Sequence, residues 1–293
     1  MGEAQENNIK KNIGVVILNY LAYEETIKCV EDFKAQNREN VNLKIIVVDN
    51  HSLNESEVAL RDKFKGDDIV VIVRTHRNLG FANGNNFGYK KLLDYMQPDY
   101  VIFSNDDIIL KNDNLFSWII ENDKKYQFGM LGPGIFSESG KFYQNPLENY
   151  TRDIRECKKI LKQQRIILLK ISIKRLLGIN KTKNKNKLVL ENSAYYEKET
   201  TEKTLHGAFQ IMSKRYLDLY AEPYDSATFL YMEEYILKLR CDNSKLPMVY
   251  SPNYKVLHLQ AVSTNMMHTS QIKKDCFRLK NLIKSLKYYM KLL

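Results

Sequence analysis

The sequence predicts an α/β protein with a central, mostly parallel sheet, and three observations carry that expectation. Short continuous apolar runs (IGVVIL at 13–18, KIIVVD at 44–49, IVVIV at 69–73) suit strands covered on both faces. Helical patterns fall between these runs, as crossover connections in a doubly wound sheet require. Three of the strands also end in polar residues, and parallel strands place those ends on one rim, where ligands of open α/β sheets bind.

The elements follow in order. The first strand, Ile13 to Leu18, runs into Asn19-Tyr20 and is followed by a helix over 24–37. The second ends at Asp49-Asn50 and precedes a helix over 55–65. The third, 69–73, leads to NLGFANGNNFG at 78–88. Gly and Asn there tolerate left-handed backbone and allow close approach to the main chain. The segment is expected to open a helix, 85–96, whose N-terminus favours an anion. Glycines at 80, 84 and 88 would share one helix face, so close packing is the competing explanation. A fourth strand, 100–104, runs into Asn105-Asp106-Asp107. A buried, unpaired charge is too costly to keep, so these carboxylates either cap a turn or hold a cation.

The chain has 293 residues, 44% hydrophobic and 27% charged, which suits one large domain or two small ones. Its +10 net charge is unevenly spread. Thr151 to Lys187 carries 13 Lys and Arg against 2 acids, and Lys273 to Leu293 carries 7 against 1, so the remainder is net acidic. Two basic segments on an acidic body suggest contacts with an anionic surface. Nucleic acid is not expected, because base-reading motifs with interleaved aromatics are absent. Cys29, Cys157, Cys241 and Cys276 are scattered without CxxC spacing, which fits a reducing compartment and argues against a zinc site. The polar start MGEAQENNIKKN has no apolar h-region, and no run approaches the ~20 apolar residues of a membrane span.

Residues 151–198 read as a basic amphipathic helical insertion, with a solvated loop at Lys181–Lys187. Near the end, Ile272, Cys276, Leu279, Ile283, Leu286, Met290 and Leu293 form a heptad-like seam among lysines. Three uses are open for it: packing on its own domain, lying on an anionic membrane, or forming a homodimer.

A second acidic pair, Glu233-Glu234, follows the aromatic run TFLYM. A partly buried carboxylate has a raised pKa and can act as a general base. The pair would also suit the first turn of a helix. His258, after an apolar strand, is either a structural hydrogen-bonding group or a metal or phosphate ligand.

The ordered set VVILNY, IIVVDNHS, NLGFANGNNFGY, FSNDDI, HGAFQIMSK, PYDSATFLYMEEYILKLR and HLQAVS resembles the family 2 glycosyltransferases, in particular their rhamnosyltransferase-like branch. The resemblance covers roughly Ile13 to Ser263 and implies the GT-A (Rossmann-like) nucleotide-sugar-binding fold. It implies that Asn19, Asp49 and Asn50 line the nucleoside pocket and that Asn78, Gly80 and Asn85 shape the donor site. Asn105 and Asp106 would also contact the nucleotide sugar, with Asp107 and His258, and Ser263 beside them, on Mg²⁺ or Mn²⁺ and the diphosphate. Glu234, paired with Glu233, stands at the position of the catalytic base, and His206-Gly207 borders the acceptor side.

The implied activity is inverting, metal-dependent transfer from a dTDP- or UDP-sugar to a glycan or lipid-linked acceptor. The expected place is the cytoplasmic face of the cell membrane, in bacterial surface-polysaccharide synthesis. The implied division is a polar tail at 1–12, a transferase domain at 13–265 and a basic amphipathic helix at 266–293. Two alternatives stay open: a nucleotidyltransferase of the same fold, and a non-enzymatic basic membrane-binding module. Against the first, NYLAYEET after the first strand lacks Gly, Lys and Arg.

Overall fold

The computed structural model describes residues 10–137, 143–177, 193–259 and 270–293. Eight strands form one sheet in the order β3-β2-β1-β4-β7-β6-β8-β5. Strands β1 (Lys11–Asn19), β2 (Val41–Asp49), β3 (Val70–Arg74) and β4 (Tyr100–Asn105) are mutually parallel, as expected. The other half is mixed. β7 (Phe209–Ser213) runs antiparallel to both β4 and β6 (Met130–Ser137), β6 is parallel to β8 (Met248–His258), and the three-residue β5 (Ile108–Leu110) pairs antiparallel with β8.

The apolar runs are explained by burial on both faces. On β1, Ile13, Val15 and Ile17 face one core with α1 (Tyr23–Lys34), α2 (Ser56–Lys63) and α4 (Leu115–Tyr126). Val16 faces the other core with α3 (Gly80–Leu92). β1 lies between β2 and β4, so the chain reverses its direction of winding there, and ligands of such sheets bind at that crevice. Register places Asn19 beside Asp49 and Leu18 beside Asn105, so all three polar ends share one rim.

Helix α3 starts at Gly80, earlier than the sequence suggests, and its glycines serve close packing. A Cβ on Gly84 would lie 2.6 Å from Leu18, and one on Gly88 2.4 Å from Val16. The expected anion site at the helix N-terminus is not open. Asn50 Oδ1 accepts from Leu79 N, Asn78 Oδ1 from Gly80 N and Phe229 O from Phe81 N. Protein oxygens already take the N–H groups that would have met the anion.

The second half of the chain adds α5 (Ile154–Leu176), the short α6 (Ser193–Tyr196) and α7 (Lys214–Leu217), α8 (Glu233–Asn243) and α9 (Gln271–Leu292). The C-terminal seam packs on its own domain. Ile283, Leu286 and Tyr289 of α9 meet Cys157 and Leu161 of α5 and Met232, Ile236 and Leu239 at α8. Tyr289 is buried beside the seam, and Met290 packs half-buried against the same cluster. With the seam covered within the monomer, it presents no free face for a partner copy. No described helix is long and apolar enough to cross a membrane.

Candidate active site

The rim is built from the strand ends upward. Asn19 at the end of β1 is fully buried; it donates to Asp49 Oδ1 (2.9 Å) and accepts from Thr26 Oγ1 (3.0 Å). Asp49, also fully buried, accepts from Ser52 N and pairs with Arg74 Nε at 3.5 Å. These two side chains lock β1 to β2 beneath the rim and do not line the cavity above it. Asn50 turns toward α3 and donates to Asn78 Oδ1 and Gly80 O, both at 3.2 Å.

That cavity, of about 150 Å³, lies over the ends of β1, β2 and β4. Asn50, Asn78, Gly80, Asn105 and Asp106 line it. Its other walls are Tyr20 and Leu18 of the β1 end, Phe81, Phe229 and Leu230, and Phe277 of α9. Asn85 is not in the lining. It is buried, donates to Phe81 O at 3.0 Å, and its Oδ1 has no hydrogen-bond partner. Phe229 has a sequence signal, the aromatic run before the acidic pair. Phe277 has none, because it lies 48 positions further on in an unrelated helical pattern.

Asp106 and Asp107 are both nearly fully buried. Asp106 Oδ2 accepts from Tyr20 N at 3.3 Å; burial first, and the charge of Asp107 second, push its carboxyl well above the usual carboxylate range. Strand β5 returns the chain along β8, and Ile108 pairs with His258 in register. This brings Asp107 Oδ1 to 3.1 Å from His258 Nε2, yet that oxygen makes no hydrogen bond. His258 Nδ1 lies 2.7 Å from Gln144 Oε1. An amide oxygen accepts only, so Nδ1 is the donor in this contact. Asn105 Nδ2 lies 3.3 Å from Nε2.

Asp107 Oδ1 and His258 Nε2 thus converge at 3.1 Å, and these are the two residues that would hold a cation at this rim. No group of three or more His, Cys, Asp and Glu gathers among the described residues. Mg²⁺ is held by as few as one carboxylate and completes its shell with substrate phosphates and water, so Asp107 is the donor that suits it. Gln144, which holds the His258 ring through Nδ1, carries no motif and is not legible in the sequence.

The second acidic pair reaches the same rim through loops on either side. Asn105 N donates to Ala208 O, which places the 205–208 loop beside the end of β4. His206 Nδ1 accepts from Ala208 N at 3.1 Å, and the ring centroid lies 6.0 Å from that of His258. Burial, followed by the neighbouring His258, lowers the His206 pKa to about 4, so the ring is neutral. Gly207 lies against the Glu234 carboxylate, and its main chain pulls that carboxyl's pKa down. From the other side, α3 holds the loop that delivers this carboxylate. Asn86 brackets Tyr224 with two main-chain bonds of 2.8 and 2.9 Å, Asn83 donates to Ser226 O, and Phe81 N to Phe229 O. The asparagines of this segment therefore act largely as fasteners between two parts of the site.

Tyr231 and Met232 then take consecutive left-handed conformations, at φ 71° and 74°. Non-glycine residues hold such angles only where the surroundings impose them, and such sites cluster at functional loops. Glu233 and Glu234 form the first turn of α8. Its dipole favours anions, but burial dominates. Burial, with a further push from Glu234, raises the Glu233 carboxyl to about 8, and its Oε1 is buried without a partner. Burial also raises Glu234, against the opposing pull of the main-chain N–H groups of Glu234 itself and Gly207. Ser263, expected near the diphosphate, lies outside the described residues, as does the loop at 181–187.

A doubly wound half-sheet joined to a mixed half, with a carboxylate-rich rim at their junction, is the GT-A architecture. Residues 14–216 match the model of glycosyl transferase family 2, and the chain belongs to that family. The match ends before Glu234, His258 and Phe277. The rhamnosyltransferase WbbL of Escherichia coli (strain K12) is 27% identical over 184 residues, 61% of this chain and 60% of that protein. The crystal structure of GalNAc-T7 with UDP, GalNAc and Mn²⁺ superposes with a TM-score of 0.60 at 13% identity, covering 94% of this chain and 48% of that one. The chain thus spans less than two thirds of the length of either protein.

Proposed function

We propose that the protein is an inverting glycosyltransferase that moves rhamnose or another hexose from a dTDP- or UDP-sugar to a hydroxyl of a glycan or lipid-linked acceptor. Bacterial surface-polysaccharide synthesis at an anionic membrane face is the setting, and the likeness to a rhamnosyltransferase supports the sugar. The observation that carries this reading is the convergence of two chemistries on one rim: the Asp107–His258 pair and a desolvated carboxylate, Glu234, held on the Gly207 main chain.

The nucleotide occupies the cavity over β1 and β4, against Tyr20, Asn50 and Phe229. Asn105 and Asp106 border the donor, and Asn78 and Gly80 hold its outer wall. Asp107 and His258 would hold Mg²⁺ or Mn²⁺, which would supply positive charge beside the diphosphate. His206 and Gly207 border the acceptor. Glu234 takes the proton of the acceptor hydroxyl as that oxygen attacks the anomeric carbon from the face opposite the leaving group, so the configuration inverts. Glu233 shares the low-dielectric site and, raised to about 8, stays protonated beside Glu234 as the acceptor hydroxyl is deprotonated. Asn19, Asp49 and Asn85 act below the surface, keeping the strand ends and α3 in place. Residues 13–265 form the transferase unit, with α5 inserted into it and α9 added to it.

The test is binding and slow hydrolysis of dTDP-, UDP- and GDP-sugars with Mn²⁺, Mg²⁺ or EDTA. The expected result is metal-dependent hydrolysis of one donor, abolished in Asp107→Ala. Failure to bind any nucleotide sugar under any metal would overturn the reading.

A further inference from the structure

Helix α5 has two apolar faces, and among the described residues only one is packed inside the molecule. Cys157 and Leu161 are buried, and Leu168 packs on the same cluster, against α9 and α8. Tyr150, just ahead of α5, meets Tyr289 near the end of α9, so the two helices run antiparallel. About 120° around the helix is a second stripe: Ile166, Leu169, Ile173 and Leu176, spaced by three, four and three residues. It is open to solvent, with Leu169 61% and Leu176 86% exposed. A solvated helix does not place four large aliphatic side chains on its outer face without an occupant for them.

The charge around the stripe selects the occupant. From Cys157 to Leu177 there are seven Lys and Arg and no acid. Lys162, Arg165, Lys170 and Lys174 flank the stripe, are exposed, and form no ion pair with any described acid. An apolar stripe bordered by unpaired cations matches a bilayer with anionic headgroups, where the aliphatic groups enter the acyl boundary and the cations remain at headgroup level. A helix carrying this pattern lies in the interface, and α5 does not span it.

We infer that the outer face of the distal half of α5, and not the buried seam of α9, is the surface by which this protein rests on an anionic membrane. The purpose of that contact rests on the transferase reading with a lipid-linked acceptor; its geometry does not. Helix α5 packs directly on α9, and Phe277 of α9 walls the donor cavity. A bilayer held at α5 therefore lies one helix away from the site.

The experiment is flotation of the full chain with phosphatidylethanolamine–phosphatidylglycerol vesicles and with phosphatidylcholine vesicles. The expected result is binding to the first that weakens with salt, and none to the second. The double variant Leu169→Glu/Ile173→Glu should lose more than about ten-fold in partitioning. Gln in place of Lys170 or Lys174 should lose about five-fold each. All these side chains are exposed, so melting and donor hydrolysis in solution should match wild type. The four native cysteines are buried, so a polarity-sensitive dye on Leu169→Cys should shift only when anionic vesicles are added. Equal vesicle binding by the double Glu variant would overturn the inference. So would a dye already in an apolar environment without lipid, or an oligomer dissolved by Leu169→Glu with no vesicle binding. Absent donor hydrolysis beside intact, stripe-dependent vesicle binding would sink the transferase reading alone.

Discussion

Gly207 leaves room for Glu234: a Cβ at position 207 would lie 2.9 Å from Glu234 Oε1 and 3.5 Å from its carboxyl carbon. Gly207→Ala must therefore displace the carboxylate. A misplacement near 1 Å costs about 10²-fold in rate, so kcat should fall about 10- to 100-fold with donor KM little changed. Glu234→Gln, which keeps the shape and removes the base, should lose about 10²- to 10⁴-fold in kcat. Steady-state transfer assays check both, and a Gly207→Ala enzyme with wild-type kcat would contradict the placement of the base.

The acidic pair also predicts a pH signature. The Glu233 carboxyl is raised from the ordinary 4.5 to about 8 by burial and by Glu234, so the folded state holds a proton that the unfolded chain releases. The stabilisation from that proton is complete below about 4.5 and is lost as pH rises toward 8. Wild type should lose melting temperature across this window relative to Glu233→Gln. Glu233 is held neutral over most of this window, so Glu233→Gln removes no charge beside Glu234 and should leave the acid limb of the rate profile in place. A limb displaced by Glu233→Gln would show that Glu233 is ionised at the pH where Glu234 titrates.

Gly80 predicts a stability defect separable from chemistry. Its φ is 78°, and a Cβ there would lie 2.2 Å from the Phe229 carbonyl oxygen. Gly80→Ala combines left-handed strain with a backbone collision, and should cost at least about 1–3 kcal/mol in denaturant unfolding. Since Phe81 N also bonds Phe229 O, the loop ahead of Glu233 should loosen, and hydrogen exchange at 229–232 should rise.

Phe277 predicts that the C-terminal helix takes part in donor binding. Its ring lines the cavity, edge-on to Phe229 at 6.3 Å between centroids. Phe277→Ala removes apolar wall from a half-buried position. It should raise donor KM about ten-fold while leaving the pH profile in place. Isothermal titration with the nucleoside diphosphate separates this from an effect on the acceptor.

The strand runs were legible in the sequence because burial on both faces leaves an uninterrupted apolar signature, and parallel pairing then fixes where Asn50, Asn105 and Asp106 gather. The asparagine-rich segment was legible as a site feature but not for what it does. Its side chains bond a loop about 140 positions away, and no local pattern records such a partner. The two-sided character of α5 was half legible: its basic, apolar composition shows in the sequence, but which stripe is covered depends on where α9 lies. Gln144 and Phe277 reach the rim only through tertiary packing, so neither residue type nor spacing marks them.

Because α9 supplies a wall and Glu234 heads α8, the site is assembled in translation order. A nascent chain synthesised through residue 216 holds the strand ends, Asp106 and Asp107, but not Glu234, His258 or Phe277. During that interval the emerging polypeptide carries only part of the cavity wall and neither carboxyl of the second acidic pair. The cavity closes only once the last helix of the chain has been made.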